Sequence, residues 1–149
     1  MRSLCLCFQV HQPIRLKKFR FFDIGNSDYY YDDHNNEKII MRVAQNCYLP
    51  SNKLILDLIN KNQGRFRVAF SISGTAIDQF KIYAPEVIES FRELSATGCV
   101  EFLVETYSHT LVSLKNKEKF MQQVETHAAA IETLFGKRPT TFKIISVII

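Results

Sequence analysis

The sequence predicts an α/β domain in which parallel strands alternate with helices. Three observations carry that expectation. Short apolar or alternating runs recur at residues 4–10, 66–73 and 99–106, stretches of helical periodicity separate them, and glycine, proline and asparagine stand at the joins. With 149 residues, 46% hydrophobic and 23% charged, the chain is long enough for one compact domain and ordinary in composition.

The first run opens with LCLC and carries no charge, the pattern of a parallel strand buried on both faces. Residues 12–36 then show no clean period but many aromatics and turn formers, and a connection that long is expected to be functional. Over 37–47, Ile39, Ile40, Val43 and Cys47 share one helical face, and Pro50 is expected to end or bend that helix. Ser51 is placed as N-cap of a second helix over 52–62, striped by Leu54, Ile55, Leu58 and Ile59 and closed by Gly64. In FRVAFSISG, Val68, Phe70 and Ile72 share one strand face, while Ala69, Ser71 and Ser73 make the other face small and polar. Helical pattern returns over 75–96, broken at Pro85, and Gly98 precedes the third strand, 99–106. The longest helix follows at about 117–135, capped by Asn116, ended by Gly136 and followed by Pro139, and the apolar tail TTFKIISVII could add a fourth strand.

Composition excludes several classes. The N-terminus lacks a small-x-small cleavage pattern, and no stretch approaches the roughly 18 apolar residues of a membrane helix, so no membrane partner is expected. Cys5, Cys7, Cys47 and Cys99 lack CxxC spacing; Cys5 and Cys7 fall on one side of a strand and read as buried thiols rather than a disulfide framework, which makes the cytoplasm the expected compartment. Arg15, Lys17, Lys18 and Arg20 interleave with Phe19, Phe21 and Phe22 in the manner of a single-strand nucleic-acid binder. Asp23, Asp28, Asp32, Asp33 and Glu37 follow directly and would repel phosphate, so a solvated, partly ordered loop is the reading and no nucleic acid is expected.

In folds of this type ligands bind beyond the carboxyl ends of the strands. His11 ends the first strand and His109 follows the third, so both can face one mouth. Glu101 and Glu105 share a strand face, and two core-facing carboxylates need a polar ligand to justify them unless one of them stands in water. They are not a glycosidase pair: four residues of strand separate them by roughly 13 Å, whereas such pairs stand about 5 Å apart for retention and at most about 9.5 Å for inversion. A metal site of His11, Glu101 and His109 is geometrically open but has no HxxxH or HxH spacing behind it. His127 lies mid-helix beside alanines as a packing or surface residue, His34 sits in the acidic loop, and Ser71 and Ser73 read as small inward residues rather than nucleophiles.

The stretch FQVHQPIRLKKFRFFDIGNSDYYYDD, with FSISG, YAPEV and GCVEFLVETYSH, closely resembles the N-terminal half of glycoside hydrolase family 57, from residue 1 to about 142. This family comprises α-amylase-like and 4-α-glucanotransferase-like enzymes. His-Gln-Pro after the first strand is similar to its first signature, and residues 98–109 to its second. The resemblance implies a partial (β/α)7-type barrel, retaining chemistry on α-glucans (starch, glycogen or maltooligosaccharide), no cofactor and no catalytic metal. By position it implies His11 and Glu101 as residues lining a sugar subsite, with Gln12 and His109 as further candidates, and Pro13 as the residue that fixes the exit of the loop. None of these is the nucleophile or the acid/base, which the family carries on the next strand and farther along.

After Phe142 the sequence departs from that pattern. It reads KIISVII, with no acidic residue after Glu132, so residues 143–149 are expected to be an atypical tail on the N-terminal part of a catalytic barrel, the product of truncation or a frameshift. A part-barrel with an open edge is expected to be marginally stable and prone to associate, and without a nucleophile it forms no glycosyl intermediate. The leading expectation is therefore a catalytically incomplete piece of an α-glucan-active enzyme. One alternative is a non-catalytic glucan-binding or assembly module that pairs with a separately encoded C-terminal half; a weaker one is a metal-dependent hydrolase.

Overall fold

The computed structural model describes residues 4–26 and 28–144. Three parallel strands, β1 (Cys7–Val10), β2 (Val68–Ile72) and β3 (Val100–Leu103), lie side by side in the order β1-β2-β3. Helices α1 (Asp33–Val43) and α2 (Leu49–Lys61) connect β1 to β2. Helices α3 (Gly74–Tyr83) and α4 (Pro85–Ala96) connect β2 to β3, and α5 (Lys117–Phe135) follows. The register aligns Gln9 with Ser71 and Ser71 with Leu103, so all three strands end at one level. The predicted alternation of parallel strands with helices is therefore observed.

The face of Val68, Phe70 and Ile72 is buried, as the alternation predicts, and packs on the helix layer. Phe91 of α4 meets the Phe70 ring edge-on at 5.1 Å, and Phe135 of α5 stacks on Phe102 at 4.1 Å. Asn116 caps α5 by accepting from the Lys119 N–H at 2.8 Å, and Gly136 ends it in the left-handed conformation, φ 77°, both as read from the sequence.

Several expectations are corrected. β1 is not buried on both faces: only Val10 is buried, because β1 is the edge of the sheet and has one neighbour among the described residues. For the same reason Cys5 and Cys7 are exposed thiols. Leu54 and Cys47 also leave their stripes, Leu54 being 60% exposed, and Ala44 takes the inward position instead. Pro50 neither ends the first helix nor leaves Ser51 to cap a second. The chain passes from α1 into α2 through one wide π-turn, Ala44–Tyr48, in which the Leu49 N–H reaches back to the Ala44 carbonyl, and Pro50 sits in the first turn of α2 where its missing N–H costs little. Helix α1 starts earlier than predicted, at Asp33, because the Asp32 carboxylate accepts from the Asn35 N–H and caps it; His34 is thus helical.

The long connection after β1 is ordered as a short antiparallel ribbon. Leu16 bridges Tyr31, the Lys17 N–H donates to Tyr30 O at 2.9 Å and the Asp32 N–H to Arg15 O at 3.0 Å. Asn36, buried in α1, clamps Arg15 by accepting from its N–H at 2.9 Å and donating to its carbonyl at 3.2 Å. The start of the tail pairs as a fourth strand would: Phe142 bridges Val104 in parallel, and the Lys143 N–H donates to Val104 O at 2.8 Å. Residues 145–149 lie outside the described residues. No helix among the described residues is long and apolar enough to cross a membrane.

Candidate functional site

The three strand ends gather polar side chains at one mouth. His11 follows β1, Ser73 follows β2, and Glu105 and His109 follow β3. The two histidine rings stack with centroids 4.1 Å apart and 23° between planes, so the expected convergence of His11 and His109 is observed. Each is held from behind. His11 Nδ1 pairs with Ser73 Oγ at 2.8 Å, and Ser73 is itself fixed as the N-cap of α3, accepting from the Ala76 N–H at 3.3 Å. His109 Nδ1–H donates to Glu105 Oε1 at 3.1 Å, which leaves Nε2 to accept from the Gln9 amide at 3.2 Å.

Glu105 is the buried carboxylate of the mouth, 1% exposed. Its second oxygen accepts from Ser71 Oγ at 2.5 Å, so Ser71, on the small polar face read in FSISG, solvates this group. His109 is one of two non-glycine residues with positive φ among the described residues, at 51°. The turn that imposes it is tied twice, by the His109 N–H on Thr106 O at 2.9 Å and the Thr110 N–H on Thr106 Oγ1 at 2.9 Å. A left-handed residue at this point folds the ring back onto Glu105 and His11.

Burial, and then the neighbouring His109 ring, lower the pKa of His11, while Glu105 acts in the opposite sense. His11 is therefore neutral near pH 7, and no described residue bonds its Nε2. The mouth thus offers one uncharged ring nitrogen, a stacked pair of rings and a shielded carboxylate, a set suited to hydroxyl groups.

Two residues expected here lie elsewhere. Glu101 is at the entering end of β3, exposed, beside Ala69 in the register, and its Oε1 accepts from Thr141 Oγ1 at 2.6 Å. Of the two strand carboxylates it is the one that stands in water, and the structure does not bring it to the histidines. The triad of His11, Glu101 and His109 therefore does not converge, and no group of three or more metal-ligating side chains forms among the described residues. Gln12 turns its side-chain amide away, donating to Tyr48 Oη at 3.2 Å, while its backbone carbonyl accepts from the Gln79 amide at 2.8 Å. It braces the loop against the π-turn and α3. Pro13 is exposed, and its carbonyl accepts from Arg15 Nη1 at 3.2 Å.

The packing alternative read for His127 is the one observed, but the roles of two supports, His127 and Tyr107, were not read from the sequence. His127 is fully buried: Nδ1 accepts from the Glu105 N–H at 3.3 Å, and Nε2–H donates to Ile72 O at 2.6 Å. It ties the ends of β2 and β3 to α5, and no local pattern marks it. Tyr107 lies against Gly74, where a Cβ would fall 2.4 Å from the ring, and donates to Asp78 Oδ1 at 2.7 Å. Burial first, and then this bond, hold its phenol well above the usual range. Gly74, directly after FSIS, was the available signal for a close approach.

The family model described as glycosyl hydrolase family 57 matches residues 5–144. A Methanocaldococcus jannaschii protein named "Putative alpha-amylase" is 36% identical over 139 residues, 91% of this chain and 29% of that protein. Among solved structures, the 4-alpha-glucanotransferase of Thermococcus litoralis aligns with TM-score 0.64 at 18% identity, over 91% of this chain and 17% of that one. A GH57 branching enzyme of Thermococcus kodakaraensis, in complex with glucose and additives, aligns with TM-score 0.60 at 13% identity, over 91% of this chain and 31% of that one. The structural likenesses establish the shared α/β fold, and this chain spans less than a third of the length of each relative.

Proposed function

Because the chain belongs to glycosyl hydrolase family 57, we propose that it forms the N-terminal sector of an α-glucan-active (β/α)7-type barrel, in which the mouth of His11, His109 and Glu105 holds a sugar ring. The observation that carries this reading is the stacked histidine pair, each ring fixed through Nδ1 and presented above the strand ends. His11 Nε2 exchanges a hydrogen bond with a sugar hydroxyl, and the neutral state favoured by burial keeps that nitrogen able to accept. Gln12 holds the loop that presents His11 and does not itself touch the sugar.

The role is binding and orientation. Among the described residues one carboxylate bonds within the mouth, and it is occupied by Ser71 and His109, whereas double displacement needs two carboxylates about 5–5.5 Å apart. In this reading the nucleophile and the acid/base belong to other strands of the complete barrel. All four cysteines are free thiols, which fits a cytoplasmic setting.

The test is calorimetric titration of the 149-residue chain with maltotriose, beside an assay for new reducing ends. Binding without turnover is expected. His11→Ala and Ser73→Ala should each weaken binding about tenfold or more, and Glu101→Ala, remote from the mouth, should leave it unchanged. Equal binding by wild type and His11→Ala, or loss in Glu101→Ala alone, would place the sugar elsewhere.

A further inference from the structure

A second concave surface lies between α1, α3 and the antiparallel ribbon. It is a groove of about 260 Å³. We propose that this groove is an accessory carbohydrate subsite that takes one glucosyl unit of a glucan whose chain also reaches the mouth; the choice of a glucan rests on the function proposed above.

Three tyrosines, Tyr29, Tyr31 and Tyr83, supply its rings, and Ile14 and Ile82 extend the apolar surface. An aromatic face beside aliphatic carbon matches the C–H face of a pyranose, and such rings lose little conformational entropy on contact. The tyrosines are already set in place. Asp33 accepts from the hydroxyls of both Tyr29 and Tyr83, the latter at 3.2 Å, and the Tyr29 and Tyr31 rings meet edge-on at 5.9 Å. Lys17 covers the Tyr29 ring with its ammonium 4.5 Å from the centroid, which leaves Tyr31 and Tyr83 as the stacking faces.

The independent observation is Gln79, which lines the groove and is 3% exposed. Its Nε2 donates to two carbonyls, Gln12 O at 2.8 Å and Thr75 O at 3.1 Å, so the amide orientation is fixed; reversal would set oxygen against oxygen. Its Oε1 consequently has no hydrogen-bond partner among the described residues. A buried acceptor in that state is costly, and because its oxygen is closed to solvent here, a ligand hydroxyl meets it only after a small opening of the groove wall. Among ligands that like aromatic walls, a sugar supplies hydroxyl donors without charge. Asp33 and Asp78 disfavour an anion, and they also make a small ammonium ion the natural competitor. The same Gln79 amide holds the Gln12 carbonyl, so the groove and the His-Gln-Pro loop share one support.

The experiment is a ¹⁵N-resolved NMR titration of the whole chain with maltotriose, and separately with methylammonium. Wild type should show two groups of shifting amides, one near 29–36 and 78–83 and one near 9–12, 71–75 and 105–109. Tyr31→Ala, a change on the exposed wall, should weaken the first group about tenfold and leave the second intact, and His11→Ala should do the reverse. Shifts in the groove that persist without the mouth response would sustain a glucan subsite there but overturn both the mouth and the claim that one chain spans the two. A mouth response with a silent groove, a groove response unchanged by Tyr31→Ala, or one stronger for methylammonium than for maltotriose would overturn the subsite.

Discussion

Replacing His127 by leucine tests whether the mouth is built on the helix behind it. The ring is fully buried and satisfies two backbone groups, the Glu105 N–H at 3.3 Å and the Ile72 carbonyl at 2.6 Å. Leucine fills much the same volume but makes neither bond, so each group keeps its desolvation cost. At about 1–3 kcal/mol per orphaned group the loss is about 2–6 kcal/mol, a large part of the roughly 5–15 kcal/mol of an ordinary domain. Urea unfolding followed by far-UV circular dichroism reads this directly. The pH dependence is a second reading of the same atoms. Burial lowers the pKa of His127 from 6.5, so below that value the unfolded chain takes up a proton that the folded one refuses. The stabilisation is full above pH 6.5 and is lost as pH falls through the lowered folded value; His11 acts in the same direction. Wild type should therefore weaken steadily below pH 6.5, and His127→Leu should show a shallower slope. A loss under about 1 kcal/mol with an unchanged pH slope would refute the two-bond account.

His109→Gly separates strain from chemistry: at φ 51° glycine is the relaxed residue, so this variant should exceed His109→Ala in stability by about 1 kcal/mol while both lose maltotriose binding. Equal stability of the two in urea would remove the left-handed turn from the explanation. Gly74→Ala drives a Cβ to 2.4 Å from the Tyr107 ring, which must swing away from Asp78; overpacking and the lost bond together should cost about 2–5 kcal/mol, read as a lower thermal midpoint. A midpoint within a degree of wild type would show that the ring is not held there.

The parts of this protein that were legible in its sequence are those set by local rules. Alternation in FRVAFSISG separated an apolar strand face from a small polar one, and Asn116 and Gly136 marked the ends of α5 through capping chemistry alone. His11 and His109 were legible because residues just past parallel strands share one mouth. Failures came where a neighbour decides the outcome. An uncharged run reads alike at the centre or edge of a sheet, so the exposure of β1 depends on what pairs with its free side. Pro50 signals a break only if the preceding turn cannot widen, and here it does, through a bond from Leu49 to Ala44. Glu101 and Glu105 are equivalent by strand parity. What separates them is their height along the sheet, four residues that decide between Thr141 at the entering end and His109 at the mouth.

Height along the sheet also explains why so much polarity is buried at one end. Ser71, Ser73, Glu105, Thr106 and His127 are all buried there, a costly group for a core, yet each is paired: Ser71 with Glu105, Ser73 with His11, Thr106 with Thr110, His127 with two backbone groups. Such a network stabilises only when complete, so its members restrict one another. The Tyr107 ring extends it across Gly74 to Asp78, a residue that also lines the tyrosine groove. A change at Gly74 therefore moves a ring two residues from His109 and, through Asp78, a wall of the groove. If both surfaces hold one glucan chain, Gly74→Ala should weaken binding at both, whereas Tyr31→Ala and His11→Ala each weaken one. That difference distinguishes a shared scaffold from two unrelated patches.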